Sequence, residues 1–247
     1  MNATTPPTHG RCLFCLRPDR PFRSREHIIP ESLGNTEFVL PRGVVCDRCN
    51  NGVLSMLDAA LVDFPAVKFL RTLKGLENKE GTVPASRWGN ATITQPSRGH
   101  LVIESNSRKV SQPTPEGFKL NLTSGGPIPA SRYALIARDL YKITLGFIYV
   151  DHGPEEAFAT KYDELRQVVL GERQSRHWLA TPKDNPHHDQ LRLSYQHLHL
   201  SGGGDAVWIS FDIFGAVFMT EMLIRGERAR AELIPSEVSQ LLNISII

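Results

Sequence analysis

The chain has 247 residues and a mass of 27.6 kDa, and 40% of its residues are hydrophobic and 22% charged. These values are those of an ordinary globular protein that could form one domain or two. A formal net charge of +2, with a pI near 8.4, neither supports nor excludes a nucleic-acid partner. The N-terminus lacks a secretory signal and no stretch approaches a membrane span, so we expect a cytoplasmic protein with no membrane partner.

Residues 1–10 are rich in Thr and Pro and are predicted to be a flexible lead-in. The four cysteines of the chain follow as two Cys-x-x-Cys pairs, Cys12/Cys15 and Cys46/Cys49. In a reducing compartment such spacing favours metal ligands over disulfides. Four thiolates form a closed tetrahedral site, so the sequence predicts a structural zinc. The alternative is that the cysteines pack as small hydrophobic residues.

Two short strands and a helix are predicted in this region. The segment 26–29 is extended and ends at Pro30, which disfavours helix at the residue before it. A second short strand is expected at 38–40. After Cys49 the apolar residues change to helical spacing and predict a helix over 51–64. They are Val53, Leu54, Leu57, Leu61 and Phe64.

Glu26, His27 and Asn50 are the candidate catalytic residues. A carboxylate and an amide oxygen that meet at one point suit Mg²⁺ or another divalent cation, which keeps several waters and takes further ligands from phosphate. Beside them a neutral His27 can accept a proton from an attacking water. Water, base and cation together are the parts needed to hydrolyse a phosphodiester.

The pattern Cys-x-x-Cys, Glu26-His27-Ile28-Ile29-Pro30, Cys-x-x-Cys-Asn50 resembles the HNH endonuclease family, whose ββα-metal nuclease unit is built on a treble-clef zinc scaffold. The resemblance covers residues 11–65. It implies that His27 is the general base, that Glu26 and Asn50 bind the catalytic metal, and that the cysteines bind the structural zinc. Two positions differ from the family pattern: Glu26 stands where Asp is usual, and Pro41 stands where a middle Asn is usual.

DNA is the partner that the resemblance implies, and RNA is not excluded. Arg25, Arg42 and Arg48 are candidate phosphate contacts, because a guanidinium can bind two phosphate oxygens at once. The alternative function is a non-catalytic treble-clef zinc module that binds nucleic acid or a protein.

The predicted fold class is α+β, with a zinc-stabilised nuclease module at 11–76 and an α+β accessory domain of unknown role at 82–247. The polar run at 77–81 is the expected boundary. Oligomerisation or a regulatory partner through residues 82–247 is left open. Within this part the sequence predicts strands at 91–94, 100–104 and 117–122, a buried helix at 131–149, a helix at 155–170, strands at 189–200 and 205–220, and a short helix in the tail from 236.

Overall fold

The computed structural model describes residues 9–107, 110–122, 128–173, 178–182, 190–199, 205–225 and 242–246. The fold is of the mixed α+β class, as predicted. The described residues form two compact units. One contains residues from 1–29, 36–61 and 130–247, and the other contains residues from 30–35 and 62–129. The boundary at 77–81 between a nuclease module and an accessory domain stays a prediction.

The first unit begins with two short strands and a helix, in the predicted order. Strand β1 (Glu26–His27) pairs antiparallel with β2 (Val39–Leu40), so that Glu26 lies opposite Leu40 and His27 opposite Val39. The helical part starts earlier than predicted, because Cys46 is extended and its carbonyl oxygen accepts the first helical hydrogen bond, from Asn50 N–H at 3.0 Å. It consists of α1 (Asp47–Cys49), a π-helical segment (Asn50–Leu54) and α2 (Ser55–Val62).

Helix α4 (Ala130–Ala157) is the long helix of this unit. It bends at Gly153, which has a φ of 85° and immediately precedes Pro154. Its residues from Leu140 to Ile148 are buried, as expected for a core helix. Glycine at position 146 permits close packing, since a Cβ there would lie 2.9 Å from Ile28 Cγ2. Among the described residues no helix is long and apolar enough to cross a membrane.

The predicted helix at 155–170 is interrupted. Helix α4 ends at Ala157, a single turn of 3₁₀ helix covers Thr160–Tyr162, and α5 covers Asp163–Leu170. The buried guanidinium of Arg166 occupies the gap: it donates to the carbonyl oxygens of Ala157 and Ala159. It also donates to Leu13 O at 2.8 Å, which joins α5 to the first cysteine pair.

Five antiparallel strands complete this unit: β8 (Trp178–Pro182), β9 (Leu191–His199), β10 (Asp205–Ile213), β11 (Ala216–Arg225) and β12 (Leu242–Ile246). Their order in the sheet is β12-β8-β11-β10-β9.

Two predictions for this region were wrong. The predicted strand at 205–220 is two strands, because Phe214 and Gly215 both have positive φ and form a tight turn. Of the predicted tail helix, residues 242–246 are instead a strand, and 236–241 and 247 lie outside the described residues.

The second unit packs one helix beside short antiparallel strands. Thr72 Oγ1 donates to Pro84 O at 2.8 Å, and Arg71 Nε donates to Ser32 O at 2.7 Å, so the helix is held to the chain before and after it. The predicted strands near 91, 100 and 117 are confirmed. The elements are α3 (Pro65–Lys74), β3 (Ser86–Trp88), β4 (Ala91–Ser97), β5 (His100–Glu104), β6 (Ser111–Thr114) and β7 (Gly117–Leu120).

Candidate metal centre and active site

The four cysteines lie together in the first unit. Their sulfur atoms are all within 4.8 Å of one another, and this is the one group of three or more potential ligands from His, Cys, Asp and Glu in the described part of the chain. Sγ of Cys15 and Sγ of Cys46 are 3.7 Å apart. Zinc–sulfur bonds of about 2.3 Å in a tetrahedron put neighbouring sulfur atoms about 3.8 Å apart. The cluster therefore has the composition and spacing of a site that could bind zinc.

The thiols share their protons unevenly. Hydrogen bonds among the four sulfur atoms, above all those with Cys12, lower the pKa of Cys15 and Cys46 and raise the pKa of Cys49. The N–H of Cys46 also donates to Cys12 Sγ at 3.4 Å. Thiolates are the form that binds metal. The two cysteines with a lowered pKa, Cys15 and Cys46, come one from each Cys-x-x-Cys pair, so each pair offers a ligand.

Asp47 fixes the chain just before β1. Its Oδ1 accepts hydrogen bonds from the N–H groups of Arg23 and Ser24, at 2.8 and 2.9 Å, and from the Ser24 hydroxyl at 2.7 Å. Since Asp47 lies between Cys46 and Cys49, the second cysteine pair positions the segment that enters β1. Sequence analysis did not single out this residue, although an acidic side chain at the start of a helix is a common capping signal.

Asn50 ties the start of the helical part to the same segment. Its Nδ2 donates to Arg25 O at 2.7 Å, so the amide lies beside the residue that precedes Glu26. Asn50 and His27 are half-buried, whereas Glu26 is only 4% exposed. The fold thus brings Asn50 next to the backbone of the Glu26-His27 pair.

Glu26 has a partner from outside the cysteine module. Nζ of Lys142, on α4, lies 2.6 Å from Glu26 Oε1. The same ammonium group donates to His27 O at 2.8 Å and to Asp58 Oδ1 at 2.8 Å. Lys142 is 1% exposed, so these contacts replace its hydration. A fourth group, Asp139, is fully buried one turn earlier on α4.

Two carboxylates, Glu26 and Asp58, therefore contact one ammonium group. Burial alone would lower the pKa of Lys142, but the negative charges of Glu26 and Asp58 outweigh it and raise that pKa, which keeps the lysine charged. Burial raises the pKa of Glu26 against the attraction of Lys142. Burial and the nearby Asp58 carboxylate raise the pKa of Asp139 well above its usual range. Neither oxygen of Asp139 has a hydrogen-bond partner among the described residues.

Asp139→Asn is expected to stabilise the protein at neutral pH by at least about 1 kcal/mol, the worth of one pKa unit, because the amide is never charged and needs no proton to stay neutral in the buried site. Because folding raises the pKa of Asp139, the folded chain keeps a proton that the unfolded chain releases near pH 4. Wild-type stability falls as the pH rises from about 4 towards the folded pKa. The asparagine does not titrate, so its advantage should grow over that window.

Urea unfolding at several pH values measures this difference. Asp212→Asn is the matched control, because that buried carboxylate accepts a hydrogen bond from Gly215 N–H at 2.7 Å and should gain no stability on replacement. A stability difference at Asp139 that does not change with pH would contradict the prediction.

The three candidate phosphate contacts, Arg25, Arg42 and Arg48, are all exposed. Arg25 immediately precedes Glu26, and Arg48 lies in α1 two residues before Asn50. Arg25 and Arg48 are therefore near the candidate catalytic residues in sequence, and all three arginines are open to solvent. The network residues Lys142, Asp139 and Asp58 are not among the functional candidates that the sequence indicated.

Residues 12–64 match the family model described as HNH endonuclease, which confirms the resemblance for the part of the chain that carries the cysteine pairs. The match ends at residue 64, two residues after the end of α2. It indicates a nuclease module with a nucleic-acid substrate. No curated protein and no solved structure matched the chain.

Proposed function

From the match of residues 12–64 to the HNH endonuclease family, we propose that the protein is a metal-dependent endonuclease that hydrolyses phosphodiester bonds in DNA. The observation that carries this proposal is the frame around Glu26 and His27. The second cysteine pair positions the segment before β1 through Asp47, which bonds Ser24. Asn50, which follows Cys49, donates to the backbone of Arg25 beside Glu26. His27 lies half-buried on that strand.

We propose zinc at Cys12, Cys15, Cys46 and Cys49. All four positions are filled by thiolate, so the ion would have no open site for substrate and would act on structure alone. A reducing compartment keeps these thiols available as ligands, and on that ground we propose a cytoplasmic location.

For a catalytic Mg²⁺ or similar cation, Asn50 and Glu26 are the proposed ligands. The Asn50 amide nitrogen is committed to Arg25 O, so the cation would be held through the amide oxygen. Lys142 contacts Oε1 of Glu26, which leaves Oε2 as the oxygen for the cation. This donor set, one carboxylate and one amide oxygen, is of the type that Mg²⁺ takes. When bound, the cation would offset the negative charge that develops on the phosphate.

His27 is the proposed general base. It is half-buried on β1, so part of it is open to solvent, and its backbone pairs with Val39 and accepts a hydrogen bond from Lys142. In its neutral form one ring nitrogen accepts a proton from the water that attacks phosphorus. The exposed guanidinium groups of Arg25, Arg42 and Arg48 are proposed to hold the flanking phosphates.

His27→Ala is expected to lower the rate of plasmid cleavage with Mg²⁺ or Mn²⁺ by at least about 100-fold, the usual contribution of a general base. DNA binding should remain, because His27 is not among the proposed phosphate contacts. The measurement is the initial rate of conversion of supercoiled plasmid to nicked and linear forms, with binding followed separately by fluorescence anisotropy in EDTA.

His100→Ala is the control, since His100 is exposed on β5 and lies outside the matched residues. It should cleave as the wild type does. Equal cleavage by wild type and His27→Ala, or cleavage by neither, contradicts the proposed activity under those conditions. RNA of the same sequence, tested in parallel, distinguishes the two nucleic acids.

A second candidate function is a non-catalytic module that binds nucleic acid or protein. The observation that favours it is the burial of Glu26, whose carboxylate already has an ammonium partner. A protein that binds DNA through the arginines and cleaves neither DNA nor RNA with any divalent cation would be of this kind.

A further inference from the structure

We propose that Lys142, which lies outside the HNH-matched residues, is a positioning residue for the active site and sets the geometry of both Glu26 and His27. This inference rests on the proposed function, because it assigns to Lys142 a role in that same reaction. It extends the catalytic machinery from the segment 12–64 to the buried helix α4.

The contacts of one nitrogen atom carry the inference. Nζ of Lys142 lies 2.6 Å from Glu26 Oε1, as an ion pair, and donates hydrogen bonds to His27 O at 2.8 Å, to Asp58 Oδ1 at 2.8 Å and to Ile28 O at 3.3 Å. The ion pair and the shortest backbone contact both belong to the adjacent residues proposed to act in catalysis. Asp58 lies on α2, so the ammonium also joins the strand and the helix of the ββα unit.

The position of Lys142 is itself fixed. It is buried on α4, whose Gly146 lies one turn further along and packs closely against Ile28. Phe147 of the same helix packs against Phe38, with ring centroids 5.0 Å apart. Phe38 O accepts the hydrogen bond of Ile28 N–H, at 2.9 Å, beside β1. Helix α4 therefore packs against the residues that follow β1 and precede β2, and Lys142 makes the polar contacts of that packed surface.

Ordinary stabilisation by a buried ion pair would need only one carboxylate. The backbone contact to His27 adds a constraint that an ion pair does not require, since it fixes the peptide that carries the base. Displacements of about 1 Å in an active site can lower a rate by about 100-fold. A residue that fixes side chain and backbone of neighbouring catalytic groups should accordingly affect turnover more than substrate binding.

The test compares Lys142→Met with Ile136→Ala. Methionine keeps the length of the side chain and removes the ammonium, whereas Ile136→Ala removes buried apolar surface from the same helix, six residues before Lys142. Both variants are loaded with zinc, and their folded fractions are measured. For Lys142→Met we expect kcat to fall by about 100-fold with KM within about threefold, and for Ile136→Ala we expect kcat per folded protein to stay within twofold.

A second readout does not depend on cleavage. The ring signal of His27 in ¹H–¹³C NMR spectra, assigned by its loss in His27→Ala, should shift in Lys142→Met and stay in place in Ile136→Ala. If Lys142→Met does not fold, Lys142→Arg replaces it. The guanidinium keeps the charge but cannot bring one nitrogen to all the oxygen atoms that Nζ contacts, so the kcat of Lys142→Arg should fall at least tenfold.

A folded Lys142 variant with wild-type kcat, or with an unshifted His27 signal, overturns the positioning role. Failure of the proposed function is recognised separately, because then wild type and His27→Ala behave alike in cleavage. In that case the His27 signal alone decides: a shift specific to Lys142→Met supports the positioning of His27, and no shift overturns it.

Discussion

Removal of metal from the cysteine cluster is expected to unfold the ββα unit of residues 12–64. The core of this small unit includes the cysteine cluster: Cys12 and Cys46 are buried, and so are Leu13 and Phe14, which stand between the first two cysteines in the sequence. Structural zinc contributes about 10–16 kcal/mol of binding free energy in small modules, more than the whole stability of most domains. Chelation should therefore release one zinc per chain and abolish the β1–β2 pairing and the helical start at Asn50.

Two measurements check this expectation: zinc released to a colorimetric chelator, and backbone amide exchange of residues 26–28 before and after release. Cys46→Ala should behave as the metal-free protein does. Cys15→His is the matched control, because Cys15 is the half-buried member of the cluster and zinc accepts three cysteines and one histidine. Retained structure in Cys46→Ala, with no zinc bound, would contradict a structural role for the metal.

The ββα order and the cysteine cluster could be predicted because their signals are local. Two Cys-x-x-Cys pairs, the break at Pro30 and the helical spacing from Val53 onward each act within a few residues. The predicted core helix of α4 rests on a similar local signal, an apolar run of more than four turns. Element order and approximate bounds followed from these patterns.

Turns and breaks that depend on tertiary contacts were not predicted. Phe214 adopts a positive φ before Gly215, an uncommon conformation for a non-glycine residue that no Asn-Gly or Asp-Gly signal announced. The break between α4 and α5 is filled by Arg166, whose partners include Leu13, 153 residues away. The sequence contains no local sign that an arginine will occupy that position.

The Lys142 network could not be predicted for the same reason. Its ammonium meets His27 O across 115 residues of sequence. The sequence predicted a buried helix at 131–149, but nothing in it indicated which groups Asp139 and Lys142 would contact. Which carboxylates would meet there depends on how α4 packs against β1, and that packing is decided by the shapes of Gly146 and Ile28.

Lys142→Met is expected to lower the free energy of unfolding by about 3–5 kcal/mol, since it leaves buried carboxylates without a cation. Glu26→Gln should cost less, because Lys142 keeps its contacts with Asp58 and the His27 carbonyl. The double variant removes both charges of the 2.6 Å pair together. Its cost should fall short of the sum of the single costs by at least about 1 kcal/mol, the coupling expected for residues in direct contact.

Chemical denaturation of the four zinc-loaded proteins gives this coupling energy. Lys68 and Asp63 provide the control cycle: their charged atoms are also close, at 2.8 Å, but both side chains are partly exposed to water. That pair should couple by no more than about 1 kcal/mol. The difference in coupling energy between the two ion pairs would then come from their burial and not from the distance between their charged atoms. Additive costs at Glu26 and Lys142 would mean that the ammonium is held by Asp58 and the backbone alone, and Glu26 would be left free to act as a ligand without it.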